Sequence, residues 1–309
     1  MTTRDDAYSQ EMATREEVLK ACIDQPVETV LLLASTWSSE YRYMEMAGQA
    51  ARHGRADLLQ YFLQNCKPSD LEPRGMILLD AASARSKPCL QLMLDQGLDI
   101  NLADDMSGGV LHRALGSIGC TEDFLAWLIE RGALVNHPQD DVRDQIHCLC
   151  RAVSHGTIPI MRLLVAAGAD VDGSRALHSA MRGGRLDKVK YLVEEAGATV
   201  DLPNGVDMTR YIRYWYADAG ATPLHVAAAH NQVAAAEYLL EKGADIEAKN
   251  AAGRTPLQEV EHLAGIKADL AEIYATKPTA RQVRPLRWLF HVDHQEIVAF
   301  LKQRGAKQT

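Results

Sequence analysis

Two stretches of this chain superimpose without a gap: ATPLHVAAAHNQVAAAEYLLEKGADIEAKNAAG from Ala221, and the RTPLQEV that follows from Arg254, with their TPL triplets 33 residues apart. A fixed period of that size marks a chain built from stacked supersecondary units, each too small to bury its own apolar face. The residues inside the period have readable tasks. Thr222 and Thr255 stand where a hydroxyl can cap the first turn of a helix, and Pro223 and Pro256 suit the first helical position. Ala227, Ala228 and Ala229 keep that helix thin enough for close packing, while Val233, Tyr238, Leu239 and Leu240 give a second helix one apolar face. Gly243 ends the second helix in the left-handed conformation, and Ala244-Asp245-Ile246 leads through a turn-rich segment to the next capped helix.

The strings Thr222 to Ala228 and Leu239 to Asp245 resemble the TPLHxAA and LLxxGAD hallmarks of the ankyrin repeat. That resemblance implies an all-α fold: an ankyrin-repeat solenoid of stacked helix-turn-helix units joined by hairpin-like fingers. With Leu224 as register mark, the closing Gly243 lies nineteen residues on; the same interval joins Leu78 to Gly97, Leu149 to Gly168 and Leu286 to Gly305. Leu111 to Gly132 takes twenty-one and Leu177 to Gly197 takes twenty. Degenerate copies place Val18 and Ala47 in the first two units and Leu257 in the eighth, with Ala21, Ala50 and Val260 at the small position. The count is nine units, so residues 15–309 are expected to form one solenoid after an N-terminal tail over 1–14. A tetratricopeptide array would need a Trp and Tyr signature that is missing here.

Composition narrows the partners. With 33 Lys and Arg against 41 Asp and Glu, the net charge is −8, and a basic stripe able to wrap nucleic acid is not expected. The longest aliphatic run, Val30 to Ala34, is far below the roughly 20 residues that span a bilayer, so no membrane contact is expected. The polar start MTTRDDAYSQEMATREE lacks the apolar stretch of a secretion signal, which gives a cytoplasmic or nuclear expectation. Six cysteines without paired spacing read as thiols, and neither a metal nor a cofactor is expected.

Function is sought where the period breaks. Leu177 and Leu224 lie 47 apart, fourteen more than the period, and the excess falls in an enlarged finger at 202–219. Tyr211, Tyr214, Trp215 and Tyr216 crowd there with Arg210 and Arg213, the side-chain types that dominate recognition hot spots. The finger reads either as a rim or lid over a binding surface or as a cap packed on its own repeat. A second finger, HPQDDVRD from His137, is acidic and is echoed by Asp104 and Asp105; it reads as a seat for a basic partner or as solvated loop charge.

The third departure is a row of histidines. In ankyrin proteins the positions five and six residues past the register mark face the concave groove. His53, His155 and His230 occupy the sixth, His262 and His291 the fifth, with Arg52 and Arg182 in the same row. Such a row can bind an anion, switch charge, hold a metal or move protons, or it is a polar rim. His112, His178 and His225 take the fourth place of TPLH and are expected to be structural. Cys148 and Cys150 flank the register leucine Leu149 and read as core, as do Trp127 and Tyr238. No GxSxG, GxxxxGK[ST], HExxH or strand-borne GxGxxG motif occurs.

Two readings follow. In the first, the chain is a recognition module that binds a protein partner through groove and finger, using Arg52, His53, His155, Arg182, Tyr211, Arg213, Tyr214, Trp215, His230, His262 and His291. In the second, the groove closes over a small molecule and His230, His262 or His291 does acid or base chemistry of an isomerase, cyclase or lyase type in a biosynthetic step. Enclosure separates them, since small-molecule sites bury most of their ligand.

Overall fold

The computed structural model describes residues 4–39, 41–71, 73–103, 108–116, 119–136, 147–205, 220–276 and 292–307. The chain forms two compact units, Met1–Ala169 and Asp170–Thr309. Every regular element among the described residues is helical.

The first unit holds five helix pairs: α1 (Arg4–Asp24) with α2 (Val27–Ala34), α3 (Arg42–Arg52) with α4 (Ala56–Asn65), α5 (Arg74–Ser83) with α6 (Lys87–Asp95), α7 (Val110–Leu115) with α8 (Glu122–Glu130), and α9 (Cys148–His155) with α10 (Ile158–Ala166). The first helix of each pair packs on the first helix of the next, from α1 through α9, forming an inner row. The second helices back onto their own partners, and α4 meets α6 as α8 meets α10. The second unit repeats the plan with α11 (Ala176–Arg182) and α12 (Leu186–Glu194), α13 (Pro223–Ala229) and α14 (Val233–Glu241), and α15 (Pro256–Thr276) and α16 (Gln295–Gln303).

The register marks are the core. Val18, Ala47, Leu78, Leu111, Leu149, Leu177, Leu224 and Leu257 are all buried, as are the small residues Ala21, Ala50 and Val260 beside them. Each buried leucine contributes about 1.5–3 kcal/mol, which is why the mark survives where the surrounding motif has decayed. Tyr238 is buried as expected, whereas Trp127 is only partly so, stacked on Phe124 with the Arg131 guanidinium 3.7 Å from its ring centroid. The helix starts also carry their caps: Thr255 and Gln258 exchange hydrogen bonds of 3.0 and 3.4 Å, a reciprocal capping box. Gly97, Gly132, Gly168, Gly197, Gly243 and Gly305 close their second helices at positive φ.

Finger side chains tie each repeat to its successor. Asn101 donates to the Gly132 carbonyl at 3.0 Å and accepts from the Leu134 amide at 2.9 Å, and Asn136 donates to the Gly168 carbonyl at 2.8 Å. In the second unit Asp172 accepts from Thr199 and Asp201 accepts from the Asp245 amide.

The end of the second unit departs from the regular period. Ala264 falls where the turn after a first helix needs a left-handed residue, a place filled by Gly54, Arg85, Gly184 and Asn231 elsewhere. Alanine favours helix, so α15 runs on to Thr276. The ninth mark, Leu286, lies outside the described residues, and α16 packs as the second helix of α15, also touching α14. The described residues therefore hold eight helix pairs. His294 Nε2 donates to the Ala229 carbonyl at 2.9 Å and the Ile297 amide to Asn231 Oδ1 at 3.2 Å, while Arg304 pairs with Glu237 and so anchors the last helix.

Candidate functional site on the inner helices

Residues three and four apart share a helix face, so on each inner helix the positions two, five and six past the register mark lie together. On α3 these are Gln49, Arg52 and His53. Arg52 donates to Gln49 Oε1 at 3.2 Å, and Gln49 Nε2 lies 3.3 Å from His53 Nε2. Arg52 then crosses to α5, where its Nη2 stands 3.0 Å from Asp80 Oδ2; the arginine is 52% exposed and the carboxylate 9%. A buried carboxylate needs such a partner. Gly48 makes the room, because a Cβ there would sit 3.2 Å from the same oxygen. One helix earlier, Arg15 Nε and Glu45 Oε2 join α1 to α3 at 2.6 Å. Beside them an open groove of about 690 Å³ runs along α1, lined by Met12, Glu16, Leu19, Lys20 and Ile23 with Gln49 from α3.

Two further arginines, Arg113 on α7 and Arg151 on α9, occupy the same position as Asp80 on its helix and are half-buried. Arg151 lies over the end of α7. A Cβ on Gly116 would stand 3.4 Å from Arg151 Nη1 and 3.3 and 3.4 Å from the His112 and Arg113 carbonyl oxygens. The guanidinium thus meets the negative end of a helix, which favours its charge. Sequence reading missed Arg113, Arg151 and Asp80 because it sought groove residues only at the fifth and sixth positions. The second position, one helical turn earlier, was the available signal.

The expected site residues are distributed as follows. His53 and His155 are exposed, at the ends of α3 and α9 with α5 and α7 between them, so they do not share a site. In the second unit Arg182 ends α11 and His230 caps α13. Burial first, then the charge of Arg182 and then His294, pushes His230 down to about 4, so it is neutral near pH 7. His262 is exposed and lies within α15 instead of at a turn. Tyr211, Arg213, Tyr214, Trp215 and His291 lie outside the described residues, as does the acidic finger.

The three TPLH-type histidines are buried. Nδ1 of His225 accepts from the Thr222 amide at 3.2 Å while Nε2 donates to the Arg254 carbonyl of the next repeat at 2.9 Å, which fixes a neutral tautomer. His178 reaches the Ala221 carbonyl in the same way at 3.1 Å, and burial holds it near 4. His112 Nδ1 lies 3.6 Å from Cys148 Sγ, both buried. Burial also pushes Cys22 up to about 11 and raises Cys66, Cys89 and Cys120, the opposite of what a nucleophilic thiol requires. Among the described residues no group of three or more His, Cys, Asp and Glu is placed to hold a metal ion, and no helix is long and apolar enough to cross a membrane. What the inner face offers is a strip of ion-pairing and hydrogen-bonding side chains on closely packed helices.

Comparison with known proteins bears on this arrangement. The family described as ankyrin repeats (3 copies) matches residues 111–204 and 149–250. The mouse (Mus musculus) nuclear factor NF-kappa-B p105 subunit is 33% identical over 157 residues, 48% of this chain and 14% of the relative. The ankyrin repeat and KH domain-containing protein mask-1 of Caenorhabditis elegans is 26% identical over 151 residues, 47% of this chain and 6% of the relative. The mouse B-cell lymphoma 3 protein homolog is 33% identical over 147 residues, 44% of this chain and 32% of the relative. The chain thus spans a third or less of the length of these relatives. The solved ankyrin repeat domain of human ASB11 superimposes with a TM-score of 0.57 at 21% identity, covering 85% of this chain and 99% of that one. The repeat period, the capped helix pairs, the TPLH histidine bonds and these matches agree: residues 111–250 match the ankyrin-repeat family, and the chain has the ankyrin-repeat fold.

Proposed function

We propose that this chain is a recognition module that binds a protein partner along the inner-helix face of its repeats. The observation that carries the reading is the side-chain strip running from helix to helix: Arg15 to Glu45, Gln49 to Arg52, and Arg52 to Asp80. Such polar, partly exposed residues on rigid neighbouring helices offer a pre-organised surface, which lowers the cost of ordering side chains on association. In the proposal Arg52, His53 and His155 belong to this face in the first unit, and Arg182, His230 and His262 to the corresponding inner-helix face of the second, each unit taken by itself. Tyr211, Arg213, Tyr214, Trp215 and His291 join it on residue type alone. Ankyrin repeats generally mediate protein–protein binding, which favours the same reading, although a fold by itself never fixes a partner.

Site-directed photo-crosslinking tests it. A photoreactive amino acid at His53 or His155 on the inner side, and at Gln64 or Lys190 on the second helices, would be irradiated in cell extract. The proposal expects protein adducts from the inner positions that the outer positions do not give. Adducts confined to Gln64 or Lys190 would overturn it.

A further inference from the structure

We infer that the exposed face of α1 is a self-association surface, on which α1 of a second copy of this chain lies antiparallel. α1 packs on α2 and α3 and turns Val18, Ala21 and Cys22 into the core, so the opposite side of the helix is left to solvent. On that side Ser9, Met12, Glu16, Leu19 and Ile23 follow one another at intervals of three, four, three and four residues, the spacing that keeps one seam of a helix turned towards a second helix. Three of the five are large and apolar. Met12 and Ile23 are 40% and 38% exposed, and all five line the open groove of about 690 Å³ that Gln49 borders from α3. An apolar seam held open to water marks a surface that something covers.

Charge selects the occupant and its direction. Glu16 and Lys20 are exposed and one helical turn apart, while Arg15 at the edge of the seam is already held by Glu45 at 2.6 Å. Two copies set parallel and in register would bring Glu16 against Glu16, a like-charge contact at the centre. Reversing the second helix about a two-fold axis between residues 17 and 18 seats Met12 on Ile23 and Leu19 on Glu16 of the second copy, and the symmetry makes each contact twice. The same reversal sets each Glu16 beside Lys20 of the other copy, so the charged member of the seam meets its opposite. A polar residue at a seam position specifies register and partner, and a wholly apolar foreign helix would leave Glu16 unmatched. From Ser9 to Ile23 the seam is about 21 Å long, short for an interface, and the dimer it supports is a reversible one. This contact is independent of partner-protein binding elsewhere on the inner helices.

Sedimentation velocity of the purified full chain, followed from low to high micromolar concentration, tests the contact. A concentration-dependent shift from monomer to dimer is expected. Met12→Asp/Ile23→Asp should keep the chain monomeric over that range without lowering its melting temperature, because both side chains already stand partly in solvent. Glu16→Lys and Lys20→Glu should each weaken the dimer about five- to ten-fold. Combining the two in one chain restores opposite charges across the axis and should return the wild-type association, a rescue that a contact elsewhere on the molecule would not give. A chain that stays monomeric throughout overturns the inference, as does a dimer that Met12→Asp/Ile23→Asp leaves intact or that the charge reversals do not touch. If the chain is monomeric and a photoreactive residue at Lys20 captures a different protein from cell extract, the seam belongs to a foreign helix and the second-copy assignment falls.

Discussion

Single residues decide the turns of this fold, and Arg85 shows how. It sits at φ 54° in the turn between α5 and α6, where Gly54 and Gly184 serve other repeats. A side chain in the left-handed region costs about 1–2 kcal/mol, and glycine returns part of that gain through its freer unfolded chain. Arg85→Gly should therefore raise stability by about 0.5–1 kcal/mol, read as a later urea midpoint with an unchanged slope. An earlier midpoint would show that the arginine side chain contributes more than its backbone costs. His225 lies at the other extreme. Both of its ring nitrogens are bonded in a buried site, one to the Thr222 amide and one to the Arg254 carbonyl. His225→Phe fills the space and satisfies neither, so a loss of about 3 kcal/mol is expected. A loss below about 1 kcal/mol would mean that water or another side chain replaces these bonds. The role of this histidine was legible from its place in TPLH, because the motif names the atom's task. The role of Arg151 at the end of α7 was not, since an arginine in a helix reads as solvated surface until the neighbouring helix is in place.

Among elements, α15 shows what the period alone does not reveal. Leu257 and Val260 are buried as the register requires, yet the helix continues to Thr276 because Ala264 declines the turn. That extension was written in one residue, but the repeat count concealed it; the next mark, Leu286, lies outside the described residues, among which α16 is the last helix. Interval matching detects buried leucines, which many helical contexts share, and does not tell which earlier helix a later one will pack on. Gly265 lies inside α15 with no heavy atom within 4 Å of where its Cβ would stand. Gly265→Ala should stabilise the second unit by about 0.5–1 kcal/mol, the propensity difference in a helix interior. Hydrogen exchange of α15 amides measures it. Faster exchange in the alanine variant would show that this stretch does not hold a regular helix in solution.

For the whole molecule, the consequence follows from where the two imidazoles held near 4 lie. His178 and His230 both belong to the second unit, and burial holds each near 4, below the ordinary 6.5. Their folded-state values are depressed, so between about pH 6.5 and 4 the unfolded chain binds protons that the folded chain refuses. The stabilisation is full above pH 6.5 and is lost progressively as pH falls towards 4. For the fully buried His178 the loss is on the order of 3 kcal/mol; the partly exposed His230 adds less because solvent reaches it. Repeat arrays distribute stability locally, so the cost should fall first on the unit that contains His178 and His230. Amide exchange followed by mass spectrometry between about pH 7 and pH 5, corrected for the intrinsic pH dependence of exchange, should show protection falling in Asp170–Thr309 before Met1–Ala169. His178→Gln keeps a donor for the Ala221 carbonyl and cannot take up the proton, so its second unit should lose less protection over that range. Equal loss in both units, unchanged by the glutamine, would place the acid sensitivity in carboxylates and not in these imidazoles.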